Sequence, residues 1–271
     1  MLCGLSNGLS FLAYRVVGYR RAVVMSNLRK CFPHKTEREL KRIARLCYRN
    51  FADLMLNMMR IRFASQRRVM RTVQWVNAVD ISTRYANRNM LMLAGHYSCW
   101  EYIGITQLFG KHQTVAAYQP AKGAIERITS EGRARFGAKL SPLNKVFRTL
   151  LEHRNKGVLT YTLMVSDQSP GVGSCDHWLT FMGQDTPVFS TPERMAQITE
   201  SVVHYLRIKE LKRFHYQYEI VTITENAAQE PPMEVTKKFF ALLEEDILRC
   251  PQLWMWTHKR WKHPKTMDNG Q

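Results

Sequence analysis

The first strong periodicity in this 271-residue chain begins just after Pro33. Thr36-Glu37-Arg38-Glu39 has the form of a capping box, in which Thr36 caps a new helix and Glu39 reaches back to the cap backbone. Apolar residues then recur at Leu40, Ile43, Cys47, Phe51, Leu54, Met55 and Met58, one face of a helix lasting to about Ala64. The stretch from Val69 to Ser82 mixes basic and apolar residues, whereas Asn89 to Ala94 reads as a short, wholly apolar buried strand. Strands are expected at Thr114 to Tyr118 and at Gly157 to Val165, the latter ending at Asp167, with helices between them at Ile125 to Phe136 and Asn144 to His153. A helix over Glu193 to Glu200, two longer strands over Val202 to Lys209 and Phe214 to Thr224, and a helix over Glu234 to Leu248 complete the pattern. Strands separated by helices predict a single α/β domain with a mostly parallel or mixed central sheet flanked by helices.

The opening MLCGLSNGLSFLAYRVVGYRR is apolar but interrupted by Arg15, and it falls short of the roughly 20 apolar residues that span a bilayer. It lacks the basic start and small-residue cleavage site of a signal peptide. It reads as an interfacial anchor or the remnant of a longer one, with an ordinary buried helix as the alternative. The expected organisation is thus a membrane-associating segment over residues 1–26, a folded domain over 27–263 and a polar tail from Pro264 to Gln271.

Composition changes this picture in one respect. Hydrophobic residues at 45% and charged residues at 23% describe a globular chain, but a formal charge of +18 creates a potential that favours anionic partners. Nucleic acid, an acidic protein and an anionic membrane surface all qualify, although no nucleic-acid-binding motif is present. The six cysteines form no C-x-x-C pair or metal-type cluster, so reduced buried thiols are expected, and no metal or cofactor.

Candidate chemistry centres on LMLAGHYSCWEY, Leu91 to Tyr102, where His96 precedes Glu101 by five positions. The spacing recurs at His34/Glu39 and His263/Asp268, but Glu39 belongs to the capping box and Asp268 to the polar tail. Only His96 follows a buried strand and a glycine, which puts it at the carboxyl end of the sheet, where open α/β folds place their ligands. Residues five apart on one helix diverge by about 140°, so His96 is expected in the turn before a helix, with Glu101 one turn inside and reaching back to the imidazole. Such a pair can deprotonate a hydroxyl or water. A capping or core histidine is the bland alternative. Ser98 and Cys99 lie close enough to be considered as nucleophiles, but no G-x-S-x-G elbow exists. Gly171-Val172-Gly173 is too short for a phosphate loop, while Asp167 and Gln168 end an apolar strand on the same sheet edge as His96 and so fit a pocket role, with a simple turn as the alternative.

Taken together, these segments resemble the bacterial lipid A biosynthesis acyltransferase family. NLRKCFP (Asn27 to Pro33), GHYSCWE (Gly95 to Glu101), GRARFG (Gly132 to Gly137), DQSPG (Asp167 to Gly171) and WMWTHKRWK (Trp254 to Lys262) are similar to its motifs and follow in its order. The resemblance covers nearly the whole length and implies a glycerophosphate-acyltransferase-like fold. It implies a fatty acyl chain moved from acyl carrier protein to a hydroxyl of a lipid A precursor, with His96 as general base, Glu101 as its carboxylate partner and no covalent intermediate. The same chemistry on an amino-acid-based lipid or a glycerophosphate is the alternative; a non-catalytic lipid-binding relative is another. It implies an anionic lipid acceptor, a membrane surface as partner, and the cytoplasmic face of the bacterial inner membrane as location. It also brings Arg133 and Arg135 near the site, where guanidinium forks suit bidentate phosphate binding, though a solvated basic helix face would read the same way. The closing WMWTHKRWK suits an interface of acyl chains and phosphates or single-stranded nucleic acid, but a packed C-terminal element is the stronger reading of this segment alone. Two departures stand out: the family's Gly-Asn is Ser98-Cys99 here, adding side chains in the turn, and the N-terminal segment looks shorter than the family's anchor.

Overall fold

The computed structural model describes residues 2–120, 123–171, 175 and 177–263. The polar tail, Val172 and Gly173 lie outside the described residues. The chain opens with α1 (Leu2–Phe11), a π-helical turn (Leu12–Val16) and α2 (Arg21–Cys31). Next comes α3 (Glu37–Phe63), 27 residues long, started by the capping box: the Glu39 amide donates to the Thr36 hydroxyl, and the Thr36 amide donates to the Glu39 carboxylate at 2.8 Å. Capping of this kind contributes about 1 kcal/mol, and the predicted apolar face buries Leu40, Ile43, Cys47 and Leu54.

A short α4 (Gln66–Met70), β1 (Val73–Trp75) and α5 (Ala78–Arg84) resolve the mixed stretch after Val69. The alternating region follows: β2 (Met90–Ala94), a 3-10 helix (Trp100–Leu108), β3 (Gln113–Tyr118), α6 (Ala124–Ala134), β4 (Lys139–Pro142), α7 (Val146–Asn155) and β5 (Thr160–Val165). A hairpin of β6 (His177–Phe181) and β7 (Gln184–Val188) leads into α8 (Thr191–Ile198), β8 (Val202–Lys212), β9 (His215–Thr224) and α9 (Glu234–Arg249). Seven strands form one sheet in the order β1-β9-β8-β2-β5-β3-β4, parallel throughout except for the β8–β9 pair. This is the single α/β domain with a mostly parallel sheet that the alternation of elements predicted. All five residues of β2 are buried, as befits a central strand covered on both faces.

The N-terminal segment is packed against the fold on one side and exposed on the other. One side of α1 docks on α3: the Ser6 hydroxyl donates to the Asp53 carboxylate, which also receives both prongs of the Arg213 guanidinium at 2.8 Å. Leu5 and Leu9 of α1, and Leu12 and Val16 of the π-helical turn, are exposed. Among the described residues no helix is long and apolar enough to cross a membrane. The expectation of buried thiols holds for Cys47 and Cys99, while Cys3 is exposed.

Candidate active site

The site is built where two neighbouring parallel strands end. β2 pairs with β5 in a register that sets Ala94 beside Val165. Two residues past that pair, His96 and Asp167 stand side by side at the carboxyl edge of the sheet. Gly95, between β2 and His96, packs closely on α9: a Cβ there would lie 2.5 Å from the Leu243 side chain, which would have to shift.

Asp167 holds His96 twice: Nδ1 meets Asp167 Oδ1 at 2.5 Å, and the His96 backbone amide donates to Oδ2 at 2.9 Å. The Trp254 indole donates to the same Oδ2 at 2.7 Å. Burial alone would raise the Asp167 carboxyl, but the His96 charge and the hydrogen bonds from His96 and Trp254 hold it below its ordinary value. An ionised Asp167 fixes the imidazole proton on Nδ1 and leaves the lone pair on Nε2. That nitrogen receives the Gln168 side-chain amide at 3.1 Å and faces a cavity of about 350 Å³.

Glu101 does not reach back to His96, contrary to the sequence expectation. Both of its carboxylate oxygens are taken by Arg133, at 2.8 Å from Nε and 2.6 Å from Nη2. The physical reason lies in helix packing. The 3-10 helix and α6 cross at Gly104, where a Cβ would sit 2.8 Å from the Arg133 carbonyl, and this close approach brings the Arg133 fork onto Glu101. Glu101 still lines the cavity, with Arg133, but as half of a buried ion pair. Its charge keeps the Arg133 guanidinium above its ordinary value against the opposing effect of burial.

The expected pairing of Arg133 with Arg135 also needs correction. Residues two apart on a helix diverge by about 200° and cannot both face one cavity. Arg135 instead donates to the Ile61 carbonyl at the end of α3 and does not line the site. Neither does Ser98 or Cys99. Ser98 is fully buried and takes a left-handed backbone, φ +54°, the conformation for which a glycine is the natural residue. Burial drives the Cys99 thiol well above its ordinary value, so it supplies no thiolate.

The chain from Leu253 to Lys262, whose residues were not singled out as site residues, does not line the cavity but forms a wall behind His96 and Asp167. Its Leu253 carbonyl accepts the Ser98 amide at 2.7 Å, and the Met255 amide donates to the His96 carbonyl at 3.0 Å. His258 accepts the Ser169 amide at 3.1 Å, and its burial pushes the imidazole down to about 4. Asn27, inside the early NLRKCFP motif, clips this wall by donating to the Trp256 and His258 carbonyls, both at 2.9 Å. Of the alternatives for WMWTHKRWK the packed element is what the chain adopts: Trp254, Trp256 and Arg260 are buried. A signal was available, since an indole and an imidazole in a closing segment are buried hydrogen-bonding groups that need partners.

The remaining lining is mixed, with Trp100, Ile103, Ala116, Leu163 and Phe189 beside Tyr118, Gln119 and Ser169. An α/β fold with an oriented imidazole at its strand ends, facing a cavity of mixed lining beside a guanidinium, fits a group-transfer enzyme. The bacterial lipid A biosynthesis acyltransferase family model matches residues 1–263, and the chain belongs to that family. It is similar to a lipid A biosynthesis acyltransferase of Haemophilus influenzae (strain Rd), 20% identical over 242 residues, covering 88% of this chain and 74% of that protein. The protein is accordingly an acyltransferase, and its family implies an acyl donor and a lipid acceptor.

Proposed function

We propose that the enzyme transfers a fatty acyl chain from the thioester of acyl carrier protein to a hydroxyl of a lipid A precursor, with His96 Nε2 as general base. The observation that carries this reading is the division of labour on one imidazole: Nδ1 is held by a buried carboxylate while Nε2 faces a cavity. The acceptor hydroxyl takes the place of the Gln168 amide at Nε2. As its oxygen attacks the thioester carbonyl, the proton passes to Nε2, and Asp167 stabilises the imidazolium. Collapse of the tetrahedral species breaks the carbon–sulfur bond, and the leaving thiolate recovers the proton from His96. The Arg133 guanidinium stands beside this centre, its charge balanced by Glu101, with donors for a phosphate or a developing oxyanion.

A covalent acyl-enzyme is disfavoured because Ser98 and Cys99 are buried outside the cavity. The exposed apolar residues of α1 and the π-helical turn and the positive charge of the chain support attachment to the cytoplasmic face of the inner membrane, where donor and acceptor meet. The test is acyl transfer by purified protein from acyl carrier protein thioester to a lipid A precursor in detergent micelles, with intact-mass analysis of the enzyme. Product from the wild type, none above background from His96→Ala, and no acylated enzyme are expected. Equal product from His96→Ala, or a trapped acyl adduct, overturns the mechanism.

A further inference from the structure

A second cleft lies between the N-terminal helical hairpin and the start of α3, and it shares no lining residue with the His96 cavity. Its volume is about 450 Å³, and its walls are Tyr14, Arg15, Arg21, Arg38, Lys41 and Arg45. None of these cations takes part in an ion pair or a side-chain hydrogen bond among the described residues. The local carboxylates are already committed. Before Asn50 the chain has only Glu37 and Glu39; Arg29 occupies the first, and the Thr36 cap occupies the second. The π-helical turn contributes both Tyr14 and Arg15 to the wall, and the Tyr14 ring collects the Arg15 and Arg21 guanidiniums at 5.8 and 5.5 Å.

Converging cations without an acidic partner repel one another, and an anion relieves that repulsion. Guanidinium forks favour a phosphate over a lone carboxylate. The surroundings then select the source of the phosphate. A neighbouring groove shares Tyr14, Arg15 and Arg45 and adds Phe11, which is 63% exposed. Leu5, Leu9, Leu12 and Val16 run down the same helical segment as one exposed stripe, an arrangement suited to the interface of a bilayer. An acidic protein would use the charge but leave the stripe in water.

We propose that this cleft binds the phosphate of an anionic phospholipid headgroup, seating the enzyme on the bilayer at a point separate from the catalytic cavity. The proposal rests on the membrane attachment put forward above, and is independent of the role of His96. Its test is flotation of the full chain with phosphatidylcholine vesicles, with and without phosphatidylglycerol. The wild type should bind the phosphatidylglycerol vesicles preferentially. Each cation near an anionic surface is worth about fivefold in partitioning, so R38Q/K41Q/R45Q should lose on the order of 100-fold. R15Q/R21Q, on the opposite wall, should lose roughly 25-fold by the same arithmetic. R148Q/R154Q/K156Q, exposed cations of the α7 region, should stay near wild type and serves as the control for diffuse charge. Equal losses in the control and in the cleft variants overturn the site, as does unchanged binding by both cleft variants. Loss of acyl carrier protein binding with vesicle binding intact assigns the cleft to an acidic protein and also overturns it. A wild type that binds no vesicles removes the membrane reading together with the cleft.

Discussion

Replacing Asp167 with asparagine isolates the step on which the mechanism depends. Oδ2 accepts two donors, the His96 amide and the Trp254 indole, whereas Oδ1 meets only His96 Nδ1. The single oxygen of asparagine therefore belongs at the Oδ2 position, which turns its NH2 toward Nδ1. That nitrogen must then accept, the imidazole proton moves to Nε2, and the base loses the lone pair that faces the cavity. A wrong tautomer of this kind costs on the order of 10³–10⁴-fold in kcat, about 4–5 kcal/mol of transition-state stabilisation. KM should change little, because the side chain lies behind the imidazole. Glu101→Gln should leave the tautomer alone and act through Arg133, appearing in stability and KM, since removal of one partner strands a partly buried charge. Steady-state kinetics of both variants, with 15N NMR of labelled histidine to read the tautomer, distinguish the two carboxylates. The reasoning fails if Asp167→Asn keeps kcat within about tenfold of wild type, or if Glu101→Gln is the variant in which the His96 tautomer flips.

Other consequences follow from single contacts. Ser98 combines a left-handed backbone with a buried hydroxyl that has no hydrogen-bond partner among the described residues. Ser98→Gly removes both penalties at the cost of unfolded-state entropy and should stabilise the fold by about 1–2 kcal/mol; a lower Tm by calorimetry contradicts this. Trp254→Phe deletes one donor to Asp167 and should lower kcat by about tenfold while raising the Asp167 carboxyl toward its ordinary value; a kcat equal to wild type would show that the indole bond is idle. His258 is held down to about 4 against 6.5, so between those values the unfolded chain binds more protons than the native one. Stability should therefore fall as pH drops from 6.5 to about 4, and His258→Gln should remove up to about 1.4 kcal/mol per pH unit of that slope. Denaturant titrations across the window check it, and an unchanged slope excludes His258 as the group.

Much of the fold was legible because its central elements have simple patterns. The apolar runs of β2 and β5 and the capped stripe of α3 end within a few residues of where the pattern predicts. The strands that were missed lie at the margins: β1 and β4 close the two edges of the sheet, and the β6–β7 hairpin lies outside it. These are three to five residues long, and Pro142 ends β4 while Pro187 sits inside β7, where they read as breaks. At the site, His96, Asp167, Gln168 and Arg133 could each be picked out from sequence, but not their partners. The match of His96 with Asp167 depends on a strand register set 71 residues apart, and that of Glu101 with Arg133 on the crossing of two helices. A spacing of five along the chain carries neither piece of information.

The same contacts explain how the chain tolerates Ser98-Cys99 where the family has Gly-Asn. The turn from Gly95 to Cys99 has little regular structure of its own, so its shape must come from outside. The Leu253 carbonyl takes the Ser98 amide, the Met255 amide takes the His96 carbonyl, and Tyr218 donates to the Cys99 carbonyl. Tyr97 is fastened from its hydroxyl to the Asp246 carbonyl at 2.9 Å. These bonds are made by backbone atoms or by Tyr97, so they are indifferent to what positions 98 and 99 carry. A residue over-determined in this way can hold a strained φ at a cost of order 1–2 kcal/mol without moving its neighbours. The side chains of Ser98 and Cys99 point into the packed interior, while the Nε2 lone pair of His96 points into the cavity. The substitution is thus a stability cost carried by the scaffold, and the geometry of His96 and Asp167 is insulated from it.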